Sequence, residues 1–132
     1  SAWDISWQRR DNIYTFSGAR ILMRLYEEIK GSAPLSVALA RFQNTLIAVT
    51  CEIVGAIARD EGLQTVCLSG GCFQNAALLS GVYEGIRAKG LTPLIHRALP
   101  PNDECVAYGQ TLIAAACRDR LSDENAYPVV EW

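Results

Sequence analysis

TVCLSGGCFQN, residues 65–75, is the stretch of sequence that decides the fold. It opens with β-branched and apolar residues, which predict a buried strand over residues 64–68. Ser69, Gly70 and Gly71 then end the strand, and a helical pattern begins at about Asn75. A buried strand that passes through a glycine turn directly into a helix is typical of a parallel sheet in an α/β protein.

Hydrophobic periodicity and turn residues predict the elements on either side of this stretch. In chain order, the predicted elements are a helix at 19–30 capped by Ser17, a long helix at 34–61, a strand at 64–68, a helix at 75–89, a strand at 91–97 and a helix at 104–120. Two apolar stripes are expected to face the core: Ile21, Leu22, Leu25 and Ile29 in the first helix, and Leu35, Leu39, Phe42, Leu46, Val49, Ile53 and Ile57 in the long helix.

The order α-α-β-α-β-α predicts an α/β fold with a small parallel sheet, because a helix lies between the two strands. The 132 residues suit a single domain. Within it, residues 1–17 are predicted to form an aromatic arm that packs on the rest, and residues 122–132 an irregular tail. A two-stranded sheet is weak alone. We therefore expect either further strands or a chain that is one part of a larger domain.

The composition is that of a soluble domain and argues against several classes of function. The net charge is −2, whereas a nucleic-acid surface usually carries a strong basic excess, so no nucleic-acid partner is expected. No apolar run reaches the length of a membrane span, residues 1–18 contain no apolar signal segment, and no membrane partner is expected. The cysteines form no CxxC pair, and Cys51, Cys67 and Cys117 are expected to be buried, reduced thiols, which favours a cytoplasmic location.

The paired glycines are the first candidate binding site. At the C-terminal end of a parallel strand, the N–H groups of Gly70 and Gly71 could cradle a phosphate or an adenosine. The alternative is a plain strand-to-helix turn. The stretch is neither a Walker A loop nor GxGxxG, because the residues that define those motifs are absent from it.

Asp103 and His96 are the second pair of candidates, and both are expected near the same sheet edge. Asp103 precedes a helix, so it is either an N-cap or an oxygen ligand for a divalent metal. His96 is the only histidine and is either a structural residue or a catalytic base. A catalytic histidine usually needs a partner that orients it, and the sequence does not identify one.

The nucleophilic side chains near these motifs have ordinary interpretations as well. Cys72 and Cys105 each lie at a predicted helix start, where the pKa of a thiol tends to fall. Each is either reactive or a small filler of a turn. Ser69 has no base near it in the sequence, and GxSxG is absent, which argues against a serine hydrolase.

Four motifs in fitting order and spacing resemble the C-terminal end of the HypF carbamoyltransferases. They are SGGCFQN at 69–75, His96-Arg97, PPND at 100–103 and Tyr108-Gly109-Gln110. The family shows SGGVFQN, a later His-Arg before PPNDGG, and a closing LGQ. The resemblance covers roughly residues 16–118.

This resemblance implies part of a domain of the actin-like ATPase superfold, shared with tRNA threonylcarbamoyltransferases. It implies carbamoyl-adenylate made from ATP and carbamoyl phosphate, a divalent metal, and transfer of the carbamoyl group to the C-terminal cysteine of a HypE-like partner during maturation of nickel–iron hydrogenases. By the same resemblance, Asp103 matches the metal ligand, and the nucleotide contacts fall on Ser69, Gly70, Gly71 and Asn75.

The sequence also departs from the family pattern. Glu104-Cys105 stands where the family has Gly-Gly, which adds a carboxylate and bulk beside the expected site. The chain lacks the family's other parts, including the first half of the actin-like domain. We therefore expect it to be inactive alone or to bind a nucleotide weakly. The alternatives are a non-catalytic half-domain used for partner binding or homodimerisation, and a fragment of an O-carbamoyltransferase.

Overall fold

The computed structural model describes residues 1–117 and has the predicted α/β class. The elements are β1 (Trp7–Arg10), β2 (Ile13–Phe16), α1 (Gly18–Lys30), α2 (Leu35–Glu61), β3 (Thr65–Leu68), a 3₁₀ turn (Gly71–Gln74), α3 (Ala76–Ala88), β4 (Thr92–Ile95) and α4 (Glu104–Ala116). The two central strands and four helices of the prediction are confirmed, and within residues 1–117 their ends agree with the prediction to within two residues. The predicted tail at 122–132 and the end of the last helix at 118–120 lie outside the described residues.

The small parallel sheet consists of β3 and β4, which α3 connects. Its register runs from Thr65 opposite Thr92 to Leu68 opposite Ile95. Pro93 and Leu94 lie on opposite faces of β4, and Pro93 is buried. Leu94 itself is 50% exposed. Within residues 1–117, the sheet is therefore covered on one face only, by α3 and α2.

The core lies between α2, α3 and this sheet. Cys51, Leu68, Val82 and Ile86 form its buried centre. The two helices approach closely because α3 carries glycines toward α2. A Cβ on Gly81 would lie 2.3 Å from Ile47 Cδ1, and one on Gly85 would lie 2.5 Å from Cys51 Sγ.

The predicted stripe of α2 is only partly correct. Val49 is buried, but Leu35 is 58% exposed and Leu39 is 47% exposed. The helix packs against both α1 and α3, so it buries mainly small residues at those contacts: Ala38, Thr45, Cys51, Gly55, Ala56 and Ala58. By length and composition alone, α2 could cross a membrane, although Arg41 and Glu52 interrupt its apolar sequence.

The stripe predicted for α1 is also partly wrong. Ile21 is fully buried as expected, and Ser17 caps the helix by accepting a hydrogen bond from the Arg20 N–H at 3.3 Å. Leu22 and Ile29 are exposed instead. The main packing partner of α1 is α2, and a helix that packs mainly against one other helix buries a narrow stripe.

The N-terminal arm contains a β-hairpin that the sequence analysis did not predict. β1 and β2 pair antiparallel from Trp7 opposite Phe16 to Arg10 opposite Ile13. The two residues between the strands, Asp11 and Asn12, have φ angles of 47° and 63°. Positive φ at both positions defines the type I′ turn that suits the twist of a two-residue hairpin.

Polar contacts attach this arm to α1 and α2. The Trp3 indole N–H donates to Glu28 Oε1 at 2.9 Å, and Arg41 donates to the same oxygen at 2.6 Å. The Trp3 backbone N–H donates to Thr45 Oγ1 at 2.9 Å. At the other end of the hairpin, Asp60 accepts hydrogen bonds from Arg9 and Tyr14.

Gly85→Ala is expected to destabilise the chain by about 1 kcal/mol. Overpacking against Cys51 costs roughly 1–3 kcal/mol, and the better helix propensity of alanine offsets about 1 kcal/mol of that loss. Gly109→Ala in α4 is the matched control, because its Cβ meets nothing within 4 Å, and it should stabilise by about 0.5–1 kcal/mol. Urea unfolding measures both variants. Shifts of the same sign would contradict the close approach of α2 and α3.

Glu28→Gln should lower the free energy of unfolding at neutral pH, and the loss should shrink in acid. Hydrogen bonds from Trp3 and Arg41 hold the pKa of Glu28 below its ordinary value. Its stabilisation is therefore complete above the unfolded-state pKa of about 4.3 and disappears as the pH falls through the lower folded-state value. The control is Glu27→Gln, since the one ion pair found for exposed Glu27 within residues 1–117 is with Arg24 at the neighbouring turn, at 3.6 Å. Equal losses for both variants, or a pH-independent difference from the wild type, would disprove this anchor.

Candidate functional site

The candidate site lies at the C-terminal edge of the parallel sheet. Leu68 and Ile95 are the last paired residues of β3 and β4, so Ser69 and His96 leave the sheet side by side. His96 Nε2 lies 2.9 Å from Ser69 Oγ, at hydrogen-bond distance. The expectation that Ser69 has no base near it is therefore wrong, and Ser69 is the partner of His96 that the sequence did not identify.

Gly70 joins the glycine loop to the PPND segment. Its φ of 107° and ψ of 155° lie in a region that is essentially restricted to glycine. Its N–H donates to the Pro101 carbonyl at 2.7 Å. The two bonded residues lie 31 positions apart in the sequence, so this hydrogen bond brings two motifs together. It also uses the Gly70 N–H that was predicted to hold a ligand.

Gly71 begins the 3₁₀ turn, and its N–H group can still face a ligand. A Cβ at this position would meet only Asn102 Cβ, at 3.9 Å, so the backbone faces open space beside the PPND segment. Within residues 1–117, no acceptor is found for the Gly71 N–H. Of the two predicted glycine donors, Gly71 is the one available to a bound group.

Asn75 caps α3, which limits the ligand role predicted for it. Its Oδ1 accepts hydrogen bonds from the Ala77 and Leu78 N–H groups, both at 3.1 Å. The same oxygen accepts from Gln43 Nε2 of α2 at 3.0 Å. Any contact between Asn75 and a nucleotide would therefore come from its amide NH₂ group.

Asp103 occupies the N-cap position of α4, yet its side chain accepts no capping hydrogen bond. Asn102 provides that contact instead, because its Oδ1 accepts from the Glu104 N–H at 3.3 Å. The exposed Asp103 carboxylate thus makes no capping hydrogen bond to α4. Its position is compatible with the predicted ligand role.

The described residues do not make a complete metal site. Within residues 1–117, no group of three or more His, Cys, Asp or Glu side chains could hold a metal ion together. Asp103 offers one carboxylate, and stable binding of a catalytic metal takes several protein ligands. The divalent metal implied by the resemblance does not fit this set of residues alone.

Two of the cysteines that were predicted to be buried differ from that expectation, and one of them, Cys117, is half-buried. Cys51 is buried, and burial raises the pKa of its thiol. Cys67, predicted to be buried, is exposed on the uncovered face of the sheet. Cys72 is exposed and Cys105 is half-buried, so the structure leaves both the reactive and the filler interpretation open.

A shallow apolar depression of about 110 Å³ borders His96. Phe73 and Leu79 line it from the 3₁₀ turn and α3, and Pro101 lines it from the PPND segment. The site thus combines a free N–H group, a serine–histidine contact and an uncommitted carboxylate beside an apolar surface. Such an arrangement suits a phosphate-bearing or acyl-bearing ligand.

A family model described as "Carbamoyltransferase, Kae1-like Domain, second subdomain" matches residues 1–110. Among curated proteins, the chain is 37% identical over 81 residues to a carbamoyltransferase HypF of Synechocystis, which covers 61% of this chain and 10% of that protein. It is 36% identical over 93 residues to the carbamoyltransferase HypF2 of Cupriavidus necator, and this match covers 70% of this chain and 12% of HypF2.

A solved structure is similar over nearly the whole chain. It is the crystal structure of full-length HypF in the phosphate- and nucleotide-bound form, with a TM-score of 0.78 and 27% sequence identity. The match covers 96% of this chain and 16% of the HypF chain. The chain therefore spans a small fraction of the proteins that it resembles.

Gly70→Ala and Gly71→Ala should differ sharply in stability. At Gly70 a side chain is strained by the backbone conformation, which costs roughly 1–3 kcal/mol. At Gly71 a methyl group has room, with 3.9 Å to Asn102 Cβ, and the change should be within about 0.5 kcal/mol. Thermal and urea unfolding of the two variants measure the difference. A loss at Gly71 as large as that at Gly70 would contradict the loop conformation.

Proposed function

This chain belongs to the HypF carbamoyltransferase family, and we propose that it supplies one half of the site that holds carbamoyl-adenylate during carbamoyl transfer. The observation that supports this most is the junction of the two family motifs. The Gly70–Pro101 hydrogen bond and the Ser69–His96 contact hold both motifs at one sheet edge. Ligands of open α/β sheets bind at this edge.

Gly71 is the proposed phosphate contact. Its free N–H lies at the start of a turn, beside the strand end, where backbone donors can face an anion. Asn75 would add a donor from its amide group, since its oxygen is already used by α3 and Gln43. The apolar depression beside Phe73 and Pro101 would shield the bound group from water. The chain's own residues thus bind and orient the ligand.

The other half of the site is proposed to lie in the first subdomain of the same domain. Parallel sheets are normally covered on both faces, whereas Cys67 and Leu94 face outward here. The matching family model describes a second subdomain, and the first would cover this face. We infer that ATP-derived carbamoyl-adenylate binds between the halves and that a cysteine of a HypE-like protein, in the cytoplasm, accepts the carbamoyl group.

A non-catalytic half-domain is the competing proposal. Two observations favour it: within residues 1–117 no set of three metal-binding side chains exists, and one sheet face is uncovered. Such a chain would use that face for a second copy or another protein. Light scattering after size exclusion separates the two proposals, because a dimer that forms without nucleotide would support the half-domain.

Gly71→Asp should weaken binding of AMP or a carbamoyl-adenylate analogue at least tenfold in calorimetric titration, a change of about 1.4 kcal/mol. The new carboxylate would replace a phosphate-facing surface with a like charge. Gly18→Asp is the charge-matched control, because Gly18 opens α1 and meets nothing within 4 Å. Its affinity should equal that of the wild type. An equal loss in both variants, or none at Gly71, would refute the proposed phosphate contact.

A further inference from the structure

The contact between Ser69 and His96 is more than a link between two loops. We propose that Ser69 is a nucleophile activated by His96, able to take an acyl or carbamoyl group onto its hydroxyl oxygen. The carbamoyl donor in this proposal rests on the proposed function, whereas the activation of Ser69 does not. Both side chains are exposed, so a reagent can reach them.

The geometry is that of a nucleophile with its general base. The 2.9 Å between Ser69 Oγ and His96 Nε2 lies within the range of about 2.6–3.2 Å that proton transfer requires. The sheet fixes this distance, because the residues immediately before them, Leu68 and Ile95, are paired. Leu68 is also buried, at 5% exposure, so the backbone that carries Ser69 is anchored.

The position of Ser69 explains how its hydroxyl is presented. It is the first residue after a parallel strand and precedes a sharp turn that needs the φ of 107° at Gly70. In enzymes with a serine on a strand-to-helix turn, the same placement exposes the hydroxyl above the sheet. The sequence does not match GxSxG. That motif has one glycine on each side of the serine, whereas Gly70 and Gly71 both follow Ser69.

A donor for the developing negative charge is available in the same loop. The N–H of the residue after the serine often serves this purpose, but Gly70 donates to Pro101 instead. The next N–H, that of Gly71, is free within the described part of the chain. This N–H, which is proposed above to face the phosphate of carbamoyl-adenylate, is the proposed contact for the carbonyl oxygen of an acyl donor that places no phosphate there.

The proposed transfer has two steps. Ser69 Oγ attacks the carbamoyl carbon of carbamoyl-adenylate, and its proton passes to His96 Nε2. The Oγ–C bond forms, the bond from the carbon to the phosphate oxygen breaks, and AMP leaves with that electron pair. A thiolate then attacks the carbamoyl carbon, the Oγ–C bond breaks, and the His96 imidazolium returns the proton to Oγ.

The dyad lacks a third member within residues 1–117, because the one side-chain hydrogen bond found there for His96 is that of Nε2 with Ser69. Its effect should therefore be that of a general base alone, about 10²-fold. A fluorophosphonate ester is a direct probe, since Ser69 Oγ bonds to phosphorus, fluoride leaves, and His96 takes the proton. The test needs no nucleotide and uses the whole 132-residue chain.

Intact-mass and peptide mass spectrometry should show one phosphonyl adduct, on Ser69. Ser69→Ala should abolish it, His96→Gln should slow it at least tenfold, and Ser80→Ala, on the exposed face of α3, should leave it unchanged. Circular dichroism checks that each variant is folded. No adduct on the wild type, an adduct retained in Ser69→Ala, or an equal rate in His96→Gln would overturn the proposal.

A second measurement tests the role of His96 without any reagent. His96 is the only histidine, so two-bond ¹H–¹⁵N correlation spectra of the untagged chain report a single imidazole. In its neutral form, His96 should show the Nδ1–H tautomer, with Nε2 accepting the Ser69 hydroxyl proton. The Nε2–H tautomer would overturn the base assignment. Nucleotide titration can fail while labelling persists, so this proposal and the proposed function fail separately.

Discussion

β3 and β4 pair in parallel from Thr65 and Thr92 to Leu68 and Ile95, so the chain leaves both strands at the same edge of the sheet. Each residue of the candidate site follows from that pairing. Ser69 and His96 meet because they are the next residues along each strand. The glycine loop and the PPND segment are then close enough for Gly70 to donate to Pro101. A shift of the register by one residue would move Ser69 away from His96 and Gly70 away from Pro101.

Much of this fold could be predicted because its signals are local. Ser17 and Gly62 mark helix ends through their own caps, and the glycine turn separates a strand from a helix. The hairpin was missed because its turn residues, Asp11 and Asn12, lack the glycine that usually marks a type I′ turn. The stripe of α2 was misassigned because its burial depends on two neighbouring helices, and periodicity in one helix does not specify its neighbours.

In the candidate site too, features with a local sequence signal could be predicted, and features that depend on packing could not. Asn75 as an N-cap could have been read from the sequence, since asparagine before a helix is a common cap, whereas its bond with Gln43 depends on how α2 and α3 pack. The Ser69–His96 contact did leave a signal, because both residues follow strands that a helix connects. The Gly70–Pro101 hydrogen bond has no signal in the sequence, since it depends on the path of the backbone after β4.

The uncovered sheet face also affects how the chain behaves at high concentration. Within residues 1–117, the parallel sheet has an outer face bearing Leu94 and two strands without outer neighbours, and α4 exposes Val106, Leu112 and Ile113. Unpaired strand edges and contiguous apolar surface promote aggregation. At high concentration, self-association through this surface should therefore limit the solubility of the chain, and co-expression with the proposed first subdomain should raise the soluble yield.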